Sequence, residues 1–337
     1  MQERSAATGR RPGLAGAAAL LVALLVLGAG VWIYDGGRAD GATGTWRALS
    51  EAGLERTEVG AARIGDSIYV VGGFVEPSDT TAAVERYDIR RDRWQRAKPM
   101  PIAVNHPAVV AHRGFLYVYG GYTEPTFGPV TAALQRFDPR SRRWTLLPAS
   151  PTPRGAAALA ARDGRLYAAG GVDDQALATL EVYDVAARRW RPAPPMRTPR
   201  EHIAAVATGD GVYVFGGRSG AGEHDTVERF DPARRRWVTL PPMNTARSGF
   251  AAVAVGGRPV VFGGEELTPG GTTIAEVELF DPRQRRWEPL PPLRTPRHGL
   301  GGAVKGMRIY ALQGGPDPGF AFSAATEFLD VPRDRLR

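Results

Sequence analysis

Residues 212–237 read VYVFGGRSGAGEHDTVERFDPARRRW, and this stretch decides the fold. Val212-Tyr213-Val214-Phe215 is a short apolar run ended by Gly216-Gly217. A run of that length, β-branched and aromatic, reads as a buried strand. Glu228, then Phe230-Asp231, then Trp237 follow at short intervals, and Asp231-Pro232 supplies turn chemistry between two further strands.

The same pattern recurs along the chain. Gly-Gly pairs close apolar runs at Gly72-Gly73, Gly120-Gly121, Gly170-Gly171, Gly216-Gly217, Gly263-Gly264 and Gly314-Gly315. An acidic or amide residue and an aromatic-Asp step come next: Glu85/Tyr87-Asp88, Gln135/Phe137-Asp138, Glu181/Tyr183-Asp184, Glu228/Phe230-Asp231 and Glu278/Phe280-Asp281. Trp94, Trp144, Trp190, Trp237 and Trp287 complete five units. The sixth keeps Glu327-Phe328-Leu329-Asp330 but no Trp follows it, and Trp46 stands in reserve near the other end. One four-stranded unit cannot bury both of its faces, so such units must stack and close into a ring.

The double glycine, aromatic and Trp spacing from about Trp46 to Asp330 resembles the Kelch family of β-propellers. The expected fold is therefore all-β, a six-bladed Kelch-type propeller over residues 45–332, with a tail at 333–337. An N-terminal strand around Trp46 is expected to complete the last blade and so remove exposed edges.

Composition agrees with many short strands: 42 Gly and 28 Pro in 337 residues, and 43% hydrophobic. There is no cysteine, which excludes disulfides, thiolate metal sites and a cysteine nucleophile. Pro12 to Tyr34 carries no charge, and Leu14 to Tyr34 spans roughly 31 Å as a helix, the thickness of a bilayer core. Arg4, Arg10 and Arg11 precede it, so the positive-inside bias places residues 1–13 in the cytoplasm and everything after the linker 35–44 outside. The expectation is a single-pass membrane anchor at 14–34 with an extracytoplasmic propeller. A cleaved signal peptide, leaving a secreted or periplasmic domain, is the alternative.

Blade topology sorts the formal charge of +8 between two faces. The third-to-fourth strand turns are basic (Arg90, Arg91, Arg93, Arg140, Arg142, Arg143 and their counterparts), and anionic lipid headgroups are a candidate contact for them. The high pI does not point to nucleic acid in this compartment. The opposite loops carry Glu76, Asp79, Glu124, Asp173, Asp174, Glu223, Asp225, Glu265, Glu266 and Asp317, with Arg218 and the aromatics Phe74, Tyr122, Phe127, Phe320 and Phe322. Loops on a rigid scaffold are where binding groups sit, so Phe74, Tyr122 and Phe127 are candidate partner contacts.

Arg56, Asn105, Arg154, Arg200, Arg247 and Arg297 precede the innermost strands and are placed by this reading around the channel mouth. A ring of guanidiniums there suits a carboxylate or another oxyanion. His106, His202 and His298 fall beside them, but His202 reads one position out of register, so no metal and no cofactor are expected.

The Kelch resemblance brings enzymatic precedents. A galactose-oxidase-like copper centre needs a cysteine crosslink that this chain cannot form, and the carboxylate–histidine loop of iron-dependent specifier proteins is not found. Sialic acid mutarotases are compatible in compartment, with the arginines as carboxylate anchors and Glu201 or Glu223 as general acid or base. No catalytic residue is singled out by spacing. The expected function is a non-catalytic binding module for a protein partner or an anionic glycan, with an acidic-sugar isomerase as the alternative.

Overall fold

The computed structural model describes residues 44–125, 127–267 and 270–336. The expected membrane segment 14–34, and the linker up to residue 43, lie outside the described residues. Among the described residues no helix is long and apolar enough to cross a membrane.

Among the described residues, six four-stranded antiparallel sheets follow one another. Blade one is built from Gly60–Ile64, Ser67–Val71, Val84–Asp88 and Arg93–Arg96. Blades two to five repeat that order, beginning at Ala108–His112, Ala158–Arg162, Ala204–Thr208 and Ala251–Val255. Blade six comprises Gly301–Lys305, Arg308–Leu312 and Thr326–Asp330, and its outermost strand is Arg47–Ala48 from the other end of the chain. Arg47 pairs with Phe328 and Ala48 with Glu327, so the expected closing strand is present.

The Trp residues bind neighbouring blades at the rim. Each indole N–H donates to a carbonyl four residues beyond the Trp of the preceding blade. Trp94 reaches Ser50, Trp144 Lys98, Trp190 Pro148, Trp237 Pro194 and Trp287 Pro241, at 2.7–3.1 Å. Between sheets, second-strand side chains such as Tyr117, Tyr213 and Val260 are fully buried. The third-to-fourth strand turns begin at an Asp whose carboxylate accepts backbone N–H groups two or three residues on, as Asp231 does from Ala233 and Arg234. The arginines of these turns are exposed.

The repeat slips by one residue in blade six. In blades one to five both glycines of the pair have positive φ, for example 64° and 91° at Gly72 and Gly73. In blade six those conformations fall on Gln313 (55°) and Gly314 (97°), and Gly315 lies outside the motif. The pair read as Gly314-Gly315 is therefore Gln313-Gly314. Blade two carries the other departure. Sixteen residues before the first glycine of the pair stand Arg56, Arg154, Arg200 and Arg247, with Arg297 at the same distance from Gln313, but here blade two has Val104 rather than Asn105.

Candidate functional site

Three consecutive residues before each innermost strand do three different jobs. The first is the arginine. Arg56, Arg154, Arg200, Arg247 and Arg297 are 0–1% exposed. They pair with Glu85 (2.9 Å), Glu181 (2.6 Å), Glu228 (3.3 Å), Glu278 (2.6 Å) and Glu327 (3.0 Å). In blades one, three, four and five the guanidinium also donates to the carbonyl of the first glycine in the pair, at 2.9 Å for Gly72 and 2.8 Å for Gly263. Burial pushes Arg56 down to about 10, with Glu85 pulling the other way.

These arginines are clamps inside the blades, and the reading that set them round the mouth as oxyanion ligands is corrected. Their charge is already neutralised, and four of the five spend a donor on the glycine turn. Blade two lacks the cation and the anion together: Gln135 stands in the glutamate position and exchanges two hydrogen bonds with the backbone of Ile102.

The second residue pairs with the strand leaving the Gly-Gly turn. Thr57 bridges to Phe74, Asn105 to Tyr122, Gly155 to Val172, Glu201 to Arg218, Ser248 to Glu265 and His298 to Gly315. Asn105 thus belongs to this rung, apart from the arginines with which it was grouped.

The third residue adopts left-handed geometry in every blade. Glu58, His106, Ala156, His202, Gly249 and Gly299 have φ between 49° and 60°. Their backbones form a closed ring of inter-blade hydrogen bonds. His106 N donates to Glu58 O, Ala156 N to His106 O, His202 N to Ala156 O, Gly249 N to His202 O and Gly299 N to Gly249 O. Val59 N, donating to Gly299 O, closes it. A β-carbon on Gly299 would lie 2.5 Å from Glu58 N, so only glycine fits at the closure. Non-glycine residues in this conformation cost about 1–3 kcal/mol each and gather at functional sites.

This rung, with the residues after it, lines a cavity of about 100 Å³ on the channel axis. Beyond it the channel is walled by small or apolar side chains, among them Ala61, Val109, Leu159, Ala205 and Ala252. His106 and His202 are therefore equivalent positions, with ring centroids 4.6 Å apart. It is His298 that is out of step, as the second residue of its trio, and counting Asn105 in place of Val104 among the arginines had hidden this. The expectation that His202 pointed elsewhere is corrected accordingly.

The mouth is densely polar. Glu58 Oε2 lies 3.2 Å from His106 Nε2, and Oε1 lies 3.6 Å from His298 Nε2. Arg218 donates to Glu201 at 2.7 Å, to Glu265 at 3.3 Å and to His202 Nε2 at 3.1 Å. His202 Nδ1 is hydrogen bonded to Glu201. Burial raises the Glu58 carboxyl to about 8, with Glu265 adding to the rise and Arg218 opposing it. Burial holds His106 and His202 well below the ordinary imidazole value, with Arg218 adding to both.

Over this cluster sits an aromatic patch. Phe74 and Tyr122 are buried and meet the ring of His106 edge-on, at 5.6 and 5.4 Å. Phe127 is 48% exposed and Phe320 is 51% exposed. They lie 5.9 Å apart, and both pack on Phe74. The candidate contacts Phe74, Tyr122 and Phe127 are thus brought together, the first two as the base and the third at the surface.

An Attractin/LZTR1 β-propeller family model matches residues 32–227, and a Kelch motif model matches residues 246–294. The chain belongs to the Kelch-repeat β-propeller family.

The chain is similar to beta-scruin of Limulus polyphemus, 35% identical over 85 residues, covering 25% of this chain and 9% of that protein. It is also similar to Kelch repeat and BTB domain-containing protein 12 of Danio rerio, 32% identical over 89 residues, covering 26% of this chain and 14% of that one. These matches span a small part of the relatives' own lengths. The solved structure of YjhT shares the fold with a TM-score of 0.72 at 16% identity, covering 82% of this chain and 95% of that one.

Within this Kelch propeller, spacing alone missed Glu58, Glu265 and Phe320 as members of one cluster with His106. A signal was available for the axial rung, since glycine occupies it at Gly249 and Gly299, and glycine at a repeated position marks positive φ. A wider cleft of about 380 Å³ between blades three and four, lined by Arg165, Asp184, Arg191 and Arg235, lies away from this cluster.

Proposed function

We propose that this Kelch propeller is a non-catalytic interaction module that takes a protein partner on its loop face. The observation that carries the reading is the exposure of Phe127 and Phe320 side by side on a base of buried rings. Exposed aromatics held rigidly from below are the usual anchors of protein interfaces. The surrounding loops present Glu76, Asp79, Glu124, Asp173, Asp174, Glu266 and Asp317, all exposed, while Arg218 is tied into ion pairs. The complementary partner segment carries an apolar side chain flanked by Lys or Arg. The isomerase alternative loses its anchors, because the arginines meant to hold a sugar carboxylate are sealed in their glutamate pairs. The same proposal keeps the propeller extracytoplasmic and tethered by the apolar segment 14–34, a reading supported by that segment's length and by the arginines before it.

A photo-crosslinking amino acid at Leu267, itself 44% exposed in a loop of blade five on the same face, tests the reading in cells expressing the full chain. The expected result is a discrete protein adduct that disappears when Phe127 and Phe320 are both changed to Ser. An adduct indifferent to those substitutions, or none, would count against it.

A further inference from the structure

We propose that the channel mouth binds a divalent metal ion of the zinc class, with Glu58, His106 and His202 as its ligands and a remaining coordination position open to the axial cavity. The three side chains come from equivalent axial positions of blades one, two and four, and one ligand atom from each lies within 4.8 Å of the others.

The hydrogen bonds behind the ligands settle which nitrogen is offered. Asn105 Nδ2 donates to Thr80 Oγ1 at 2.7 Å and to the Glu124 carbonyl at 3.1 Å, which fixes the amide's orientation. Asn105 Oδ1 therefore faces His106 Nδ1 at 2.6 Å as an acceptor, and the proton of His106 sits on Nδ1. That leaves the Nε2 lone pair facing Glu58 Oε2 at 3.2 Å. Two lone-pair donors at that separation need a proton or a cation between them. Roughly 3.3 Å is the edge of a tetrahedron whose ligands lie about 2.0 Å from a zinc ion.

His202 is arranged alike. Its Nδ1 donates to the Glu201 carboxylate, and its Nε2 is met by the Arg218 guanidinium, a cation standing where a metal would. Each imidazole is thus backed by an oxygen acceptor that sets its tautomer and aim, as metal-ligating histidines are. Arg218 keeps its contacts with Glu201 and Glu265 if its third donor is displaced.

Charge favours the same occupant. Glu58, Glu201 and Glu265 are drawn together at the mouth, and Arg218 is the guanidinium that reaches this group among the described residues. His298 lies near Glu58 and Glu265, but both its ring nitrogens already face the carbonyls of Gly315 and Gly319, so it stays outside the ligand set. Two imidazoles and one carboxylate make a borderline donor set, suited to Zn²⁺ and its spectroscopic substitute Co²⁺.

The test is a titration of the purified full chain, stripped with chelator, first with Co²⁺ and then with Zn²⁺. One equivalent of Co²⁺ is expected to bind with the intense visible absorption of a four-coordinate site and to be displaced by Zn²⁺. Glu58→Gln and His106→Gln each lower the affinity by about 100-fold or more. Asn105→Ala, which leaves every ligand in place, lowers it by about 10- to 100-fold. His112→Gln, in a hairpin of blade two, leaves it unchanged. Melting curves in chelator report whether each variant folds. No absorption at stoichiometric Co²⁺ in the unsubstituted protein overturns the proposal. So does a folded His106→Gln or His202→Gln protein that binds as the parent does.

Discussion

The indole N–H of Trp46 donates to the carbonyl of Pro291 at 2.8 Å, joining residues 245 positions apart in sequence. It obeys the same rule as the other five indoles, since Pro291 lies four residues beyond Trp287. The bond is therefore the sixth member of the rim belt, made by a residue from the opposite end of the propeller. Trp46 is also buried against blades five and six, touching the ring of Phe262.

Trp46→Ala should consequently behave as a core deletion. Losing a buried indole and its hydrogen bond costs about 3–5 kcal/mol. Trp46→Phe keeps most of the apolar burial and should cost less. Urea denaturation of the full chain checks this, and equal midpoints for Trp46→Ala and the parent would contradict it.

Arg247→Ala leaves Glu278 buried without its cation, and breaking such a pair from one side costs about 3–5 kcal/mol. Blade two shows how the pair can be removed whole, with Val104 and Gln135 in the two positions. The double variant Arg247→Val, Glu278→Gln should accordingly recover much of the loss, seen as a favourable coupling in a double-mutant cycle. Additive costs would show that the blade-two solution does not transfer.

The acid–base behaviour of the mouth follows from the direction of each shift. Glu58 holds its proton more tightly folded than unfolded. It contributes stability at low pH that is lost as pH climbs from the ordinary carboxyl range through about 8. His106 and His202 are shifted downward, so their contribution is present above the ordinary imidazole value and lost on acidification. With chelator present, the melting temperature of the parent should fall relative to that of Glu58→Gln between roughly pH 5 and 8. Parallel profiles would rule this out.

Phe127→Ser and Phe320→Ser should change stability by less than about 1 kcal/mol each, because both rings are half exposed. Phe74→Ser, on the buried base of the same patch, should cost several times more. Thermal melts of the three variants separate a surface anchor from its support.

The fold was legible because its grammar is local. Short apolar runs, paired glycines, Asp turns and a Trp at regular intervals each have a backbone or packing cause, and Trp46 fitted the one vacancy. The site was less legible for two physical reasons. First, period shows that Arg154, Arg200 and Arg247 are equivalent but says nothing of depth, and their glutamate partners draw them into the blade. Second, the axial residue is left-handed, which redirects the chain over a single step. Glu58, His106 and His202 turn toward the axis where simple strand alternation would not put them. Grouping Asn105 with the arginines, where Val104 belongs, then shifted the reading of blade two by one and made His202 look like the exception when His298 was.

Closure by Arg47–Ala48 also orders events in time. Its pairing partner, Thr326–Asp330, is the last strand of the ring that a ribosome delivers. The earliest strand must stay solvated and unpaired while five complete sheets and most of a sixth are made. The molecule thus commits to its final shape at the seam, and until that moment both ends of the unfinished ring are edges open to association with other chains.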